Sequence, residues 1–178
     1  MNKRIFMALS VILFLSTASL TFAGDNPLQA EQKKVNASFA ALIPADKVIG
    51  VDKFYQVYQD VMAGKKKAYL IDVRTYPEFD AFHIEGTDHI NSGEMYTIPK
   101  KIIDPNAEIY IWCRTSARAK YTAGFLYKYG YKNVWLYDEG VLGWAKAGHP
   151  FVNKFTGTFK ITEYRKHPSE AEKSYRIR

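Results

Sequence analysis

Hydrophobic positions along the chain follow two alternating rhythms. Phe54, Val57, Tyr58 and Val61 recur at i, i+3, i+4 and i+7, the spacing of an amphipathic helix whose aromatic stripe is core. Asp52 is its expected N-cap and Gly64 its expected C-terminal cap. Val48 to Val51 reads as a short strand, and Ala68 to Val73 is apolar almost throughout, broken only by Asp72. With Ile109 to Trp112 and Asn133 to Tyr137, these runs have the continuous apolar character of strands covered on both faces.

Helical signals lie between them. Thr75-x-x-Glu78, with Tyr76 and Pro77 in the first turn, is a capping box that opens a short helix toward Phe82. Asn91 to Ile103 predicts one irregular helix, and Asp104-Pro105-Asn106 predicts the turn into the strand at Ile109. Ala119 to Tyr129 reads as a helix ended by Gly130, and a further short helix forms around Trp144. Strands alternating with helices predict an α/β domain, its mostly parallel central sheet covered by helices on both faces.

Weaker patterns lie at the two ends. Leu28, Val35, Phe39 and Leu42 have a loose helical spacing that Pro44 would stop, predicting a docking helix or a partly ordered arm. Phe155, Gly157, Phe159 and Ile161 alternate with polar residues, predicting an edge strand or hairpin. The Lys65-Lys66-Lys67 run reads as a solvated loop.

Composition changes this picture mainly at the termini. Lys3 and Arg4 precede an apolar stretch from Ile5, which turns Ser/Thr/Ala-rich and ends in Thr21-Phe22-Ala23. A positive head, an apolar middle and a small residue at the cut describe a secretory signal peptide over residues 1–23, so the protein is expected to be exported, to the periplasm. An uncleaved anchor is the alternative, but Ser10, Ser16, Thr17, Ser19 and Thr21 interrupt the run, and no later stretch suits a bilayer span. The formal net charge of +7 is concentrated toward the end, where Phe151 to Arg178 holds seven basic and three acidic residues. The chain therefore divides into a signal peptide (1–23), an N-terminal extension (24–46), one domain (47–151) and a basic C-terminal extension (152–178). Neither a Gly-rich nucleotide loop nor a basic and aromatic platform is present, so nucleic acid is not an expected partner. His83 and His89 have no Cys or carboxylate cluster at ligand spacing, which speaks against a metal site.

The chain has one cysteine, Cys113, placed directly after the apolar run Ile109 to Trp112 and just before a helix. In an open α/β sheet, ligands bind in the crevice at the carboxyl ends of the strands. A loop entering a helix N-terminus offers unpaired N–H groups and the positive end of the dipole, and Arg114 and Arg118 add two cations. Such surroundings favour a reactive thiolate and could hold an anionic substrate against it. The alternative is that Cys113 is a small core hydrophobe. A lone cysteine in an oxidising compartment has no internal disulfide partner and stays available for sulfur chemistry. Asp72 and Arg74, two residues apart at a strand end, share a face and are read as a structural ion pair rather than part of the site.

Cys113-Arg114-Thr115-Ser116-Ala117-Arg118 resembles the six-residue active-site loop of the rhodanese family of sulfurtransferases, Cys-Arg-x-Gly-x-Arg. Asp72-Val73-Arg74 with Glu78-Phe79, and then His83-Ile84-Glu85-Gly86, is similar to that family's Asp-x-Arg and His-Ile-Pro-Gly signatures. Gly140, Gly143-Trp144 and Ala147-Gly148-His149-Pro150 are similar to its closing segment. Three positions depart from the pattern: Ser116 and Phe82 stand where the family usually has Gly, and Val141 where a second Gly is common. A φ > 0 at Ser116 would cost on the order of 1 kcal/mol that Gly would avoid.

The resemblance implies a rhodanese-like three-layer α/β domain with Cys113 as the catalytic nucleophile. It also implies a substrate-binding loop of Arg114, Thr115, Ser116, Ala117 and Arg118, with Asp72, Arg74 and His83 as structural groups nearby. The implied reaction is that of a thiosulfate sulfurtransferase. A small anionic donor gives its sulfane sulfur to Cys113, and cyanide, a thiol or a protein cysteine removes it, with no cofactor. A phosphatase of the related Cys-x5-Arg type is excluded by counting, since Arg118 closes a Cys-x4-Arg loop and the next residue is Ala119. The alternative from another class is a non-catalytic or weakly active module that binds a partner or carries sulfur for it.

Overall fold

The computed structural model describes residues 26–162. The signal-peptide reading of residues 1–23 and the charged stretch from Glu163 onward lie outside them. Asn26 caps the first helix, α1 (Pro27–Ala40), its side chain accepting the Leu28 N–H at 3.0 Å, and Pro27 occupies the first turn. The following strands and helices are β1 (Val48–Ile49), α2 (Val51–Met62), β2 (Tyr69–Asp72), α3 (Tyr76–Ala81) and β3 (Asp88–His89). A 3-10 segment, Ser92–Thr97, then runs into α4 (Ile98–Lys101), the irregular helix expected between Asn91 and Ile103. The remainder is β4 (Ile109–Trp112), α5 (Ala117–Tyr129), β5 (Val134–Tyr137), α6 (Gly140–Lys146), β6 (Phe151–Asn153) and β7 (Gly157–Phe159).

The main sheet has the order β1-β5-β4-β2-β3, and every pairing in it is parallel. β4 is its centre, with Ile109 to Trp112 in register with Tyr69 to Asp72 on one side and with the start of β5 on the other. Its four residues are all buried, as the continuous apolar run requires. The pleat sorts the strand side chains into two cores, because successive residues point to opposite faces. Ile71, Ile109, Ile111, Val134 and Leu136 meet Ala119, Ala123 and Leu126 of α5. Leu70, Tyr110, Trp112 and Tyr137 meet Phe54 and Val57 of α2 and Val141 and Trp144 of α6. Phe54 stacks on Tyr137 at 4.3 Å and has Trp112 and Trp144 as further ring neighbours, so the α2 stripe is core as its spacing predicts.

α1 docks on α5 through Phe39, whose ring lies 4.3 Å from Phe125 and 4.9 Å from Tyr121. Gly124 makes this approach possible, since a Cβ there would stand 2.6 Å from the Phe39 carbonyl oxygen. The hairpin expected near the end of the chain is present as β6 and β7. Its strands begin earlier than the alternation indicates, and Phe155 is an exposed turn residue instead of a strand position, because Asn153 folds the turn by accepting the Phe155 and Thr156 N–H groups. Phe151 is fully buried, and Phe159 and Ile161 pack against the same core.

Two local expectations need correction. Asp52 is not the N-cap of α2: the helix starts at Val51 with Gly50 as its cap. The Glu139 carboxylate, 88 residues further along the chain, accepts the Val51 N–H at 3.4 Å, so a tertiary contact replaces the local cap. The strand Asp88–His89 has no counterpart in the expected elements, being two residues that pair only because they lie alongside β2.

Candidate functional site

Residues 113–116 join β4 to α5, and two adjoining elements hold this connection in place. The Val141 N–H donates to the Cys113 carbonyl at 3.0 Å and the Leu142 N–H to that of Arg114 at 3.2 Å. The start of α6 thus clamps the carbonyls of the loop. Gly140 permits this contact, since it has φ +57° and a Cβ there would lie 2.3 Å from the Cys113 oxygen. Among the described residues, no acceptor takes the backbone N–H groups of Thr115 through Ala119. They form the open N-terminal turn of α5 that the sequence predicts.

Ser116 precedes α5 with φ 157° and ψ −22°, the one non-glycine positive φ among the described residues. Glycine adopts this conformation more readily than serine does. Ser116→Gly is therefore expected to raise stability by about 1 kcal/mol, relief of strain exceeding the added freedom of the unfolded chain. The urea midpoint of unfolding measures it, and an unchanged or lower midpoint would contradict the strain.

Within the loop, Thr115 and Ala117 are exposed, while Arg114, Ser116 and Arg118 are half-buried. Cys113 is covered, with 1% of its surface exposed. The expected open thiolate is thus corrected to a sulfur beneath the loop. The strand pleat accounts for this, since Cys113 continues the Ile109 and Ile111 side of β4 into the core under α5. The sulfur still lies in the field of a cation, because Arg118, which closes the same loop, interacts electrostatically with Cys113.

Arg118 is also bound elsewhere. Its guanidinium grips Glu78 with two hydrogen bonds, Nη1 to Oε2 at 2.6 Å and Nη2 to Oε1 at 2.8 Å. The same carboxylate accepts the Thr75 N–H at 3.1 Å and the Thr75 hydroxyl at 2.8 Å, the reach-back half of the expected capping box. Glu78 keeps Arg118 protonated above the ordinary arginine range, with the Cys113 sulfur adding to the effect. In return Arg118, aided by Thr75, holds the Glu78 carboxyl down to about 2. Sequence reasoning found Glu78 as a helix cap and as part of a segment resembling a family signature, but no local signal could pair it with a cation 40 residues away.

A folded value below the unfolded one means that the Glu78 contribution to stability is complete above about pH 4.5 and is lost as pH falls toward about 2. With both partners about one-third exposed, screening limits it to about 1 kcal/mol at neutral pH. The stability difference between the protein and Glu78→Gln, read from urea unfolding, is therefore expected to close between pH 4.5 and 2. A difference independent of pH would refute it.

Asp72 and Arg74 form the expected structural pair and are fully buried. Arg74 Nε lies 3.0 and 2.8 Å from the two Asp72 oxygens, and its Nη2 reaches Asp72 at 2.7 Å and donates to the Phe82 carbonyl at 2.6 Å. This joins the end of β2 to the end of α3. His83 is oriented as predicted, with Nδ1 2.9 Å from the Phe79 carbonyl and its ring stacked on Phe79 at 4.0 Å. Its backbone exchanges two hydrogen bonds with Val152, so it holds the β6–β7 hairpin rather than the loop.

A cleft of about 360 Å³ borders the loop, with Arg74, Glu78 and Arg114 among its lining and Pro77, Phe82 and Leu142 among its apolar walls. Ile161, following β7, completes one side. Among the described residues no three His, Cys, Asp or Glu side chains gather as a metal site, and no helix is long and apolar enough to cross a membrane.

Comparison with known proteins bears on this arrangement. The family described as rhodanese-like domain matches residues 55–147. A putative sulfur carrier protein, YrkF, of Bacillus subtilis is 33% identical over 76 residues, covering 43% of this chain and 40% of that protein, so this chain spans less than half of it. Thiosulfate sulfurtransferase GlpE of Haemophilus influenzae is 29% identical over 83 residues, 47% of this chain and 78% of that protein. Among solved structures, the polysulfide-sulfur transferase homodimer from Wolinella succinogenes shares the fold with a TM-score of 0.54 at 19% identity, covering 79% of this chain and 96% of that one.

Proposed function

Because the chain belongs to the rhodanese-like domain family, we propose that it is an exported sulfurtransferase that carries sulfane sulfur as a persulfide of Cys113. One observation carries the reading. The lone cysteine opens a loop whose N–H groups from Thr115 to Ala119 have no acceptor among the described residues, and the Arg118 guanidinium that closes the loop acts electrostatically on it. Such a loop stabilises negative charge at the place where a thiolate, an anionic donor and then a persulfide would each sit. The relatives named for sulfur transfer and sulfur carriage support the same chemistry. Export rests on the residue pattern of 1–23.

In the first step the Cys113 thiolate attacks the outer sulfur of thiosulfate or a similar donor. A new S–S bond forms, the S–S bond of the donor breaks, and its electron pair leaves with sulfite. In the second step cyanide, a small thiol or a protein cysteine attacks the outer sulfur of the persulfide, and the Cys113 thiolate is regenerated. The scheme requires no metal or organic cofactor. Since the sulfur is covered, the donor reaches it only as the side chains above the loop move aside.

That same burial favours a second reading, a rhodanese-like module that binds a partner without turnover. Intact mass separates the two. The purified protein incubated with thiosulfate is expected to gain one sulfur atom and to release thiocyanate when cyanide follows. No gain in mass with thiosulfate or polysulfide, and no thiocyanate, would leave only the binding module.

A further inference from the structure

Four hydrogen bonds converge on the Glu78 carboxylate, two from Arg118 and two from Thr75. A carboxylate with that many donors stays ionised, and its charge opposes that of the guanidinium that closes the Cys113 loop. The two charges that the sequence places beside Cys113 are therefore not both available to an anion. Pro77, Ala81, Phe82, Leu142 and Ile161 make the adjoining cleft largely apolar.

We propose that Glu78 sets the specificity of the site. By holding Arg118 as a neutralised pair against Cys113, it reduces the attraction for small dianions and favours sulfur carriers of low charge with an apolar body, organic thiols and their persulfides. Glu78 acts through Arg118 and is a positioning residue. The inference rests on the sulfur-transfer reading for the identity of the cargo, but the field it assigns to Cys113 does not.

The test compares alkylation of Cys113 by iodoacetate, an anion, with alkylation by iodoacetamide, which is neutral. In both the thiolate displaces iodide, so access to the sulfur cancels in the ratio of rates and charge remains. In the full chain, Glu78→Gln is expected to raise the iodoacetate-to-iodoacetamide ratio about fivefold at low salt, as uncovering one cation several ångströms away predicts. Glu78→Asp, which keeps the negative charge, is expected to stay within about twofold of the parent, a distinction that a purely structural role for Glu78 would not produce. An unchanged ratio in Glu78→Gln, an equal rise in Glu78→Asp, or a Cys113 that neither reagent reaches would overturn the proposal. The expected shift in Glu78→Gln, together with a parent protein that gains no sulfur from any donor, would remove the sulfurtransferase reading and leave the role of Glu78 in place.

Discussion

Cys113→Ser is expected to abolish thiocyanate release and the one-sulfur gain in mass, a fall of roughly a thousandfold or more, to the uncatalysed background. A serine oxygen ionises far less readily than a thiol and does not form the persulfide on which both steps depend. Because Cys113 is covered, serine would also bury a hydroxyl, at a cost of roughly 1–3 kcal/mol if it finds no partner. Cys113→Ala avoids that cost, and a melting curve for each variant separates loss of chemistry from loss of fold. If either variant keeps turnover while folded, sulfur is not carried on this residue.

Asp72→Ala is expected to be the most damaging single change to stability among those considered. It leaves the Arg74 guanidinium, 1% exposed, with the Phe82 carbonyl but without its carboxylate. Breaking a buried ion pair from one side costs about 3–5 kcal/mol. For a domain of this size that lowers the melting temperature by roughly 10 °C. Arg74→Lys would suffer too, because an ammonium lacks the planar fork that bonds Asp72 and Phe82 together. A melting temperature of Asp72→Ala within a degree or two of the parent would show that the pair contributes little.

The sequence is legible where local rules and burial agree. Phe54 and Val57 could be placed in the core from spacing alone, and the four-residue strand Ile109 to Trp112 from its unbroken apolar character, because a helix or strand covered on a given face must be apolar there. The strand, loop and helix around Cys113 followed from the same signals. Legibility fails where a distant residue supplies what a local rule assigns to a neighbour. Glu139 takes the capping task expected of Asp52. Glu78 meets Arg118 across 40 positions. Asp88 and His89 form a strand only through their register with Ile71 and Asp72. Cys113 shows a subtler failure: charge and position described its neighbours, but the pleat decided which way its side chain points.

The outermost strands of the main sheet, Val48–Ile49 and Asp88–His89, are two residues each, while the longer strands lie between them. Another molecule that tried to extend the sheet by backbone pairing would find hardly any free ladder at either margin. Val48, which is exposed, is followed by one more strand residue before Gly50 caps α2, and the His89 side chain is held with its Nε2 at 2.8 Å from the Arg74 carbonyl. The fold therefore protects itself against cross-molecule β-assembly by brevity at its borders, without using proline or rows of lysine there.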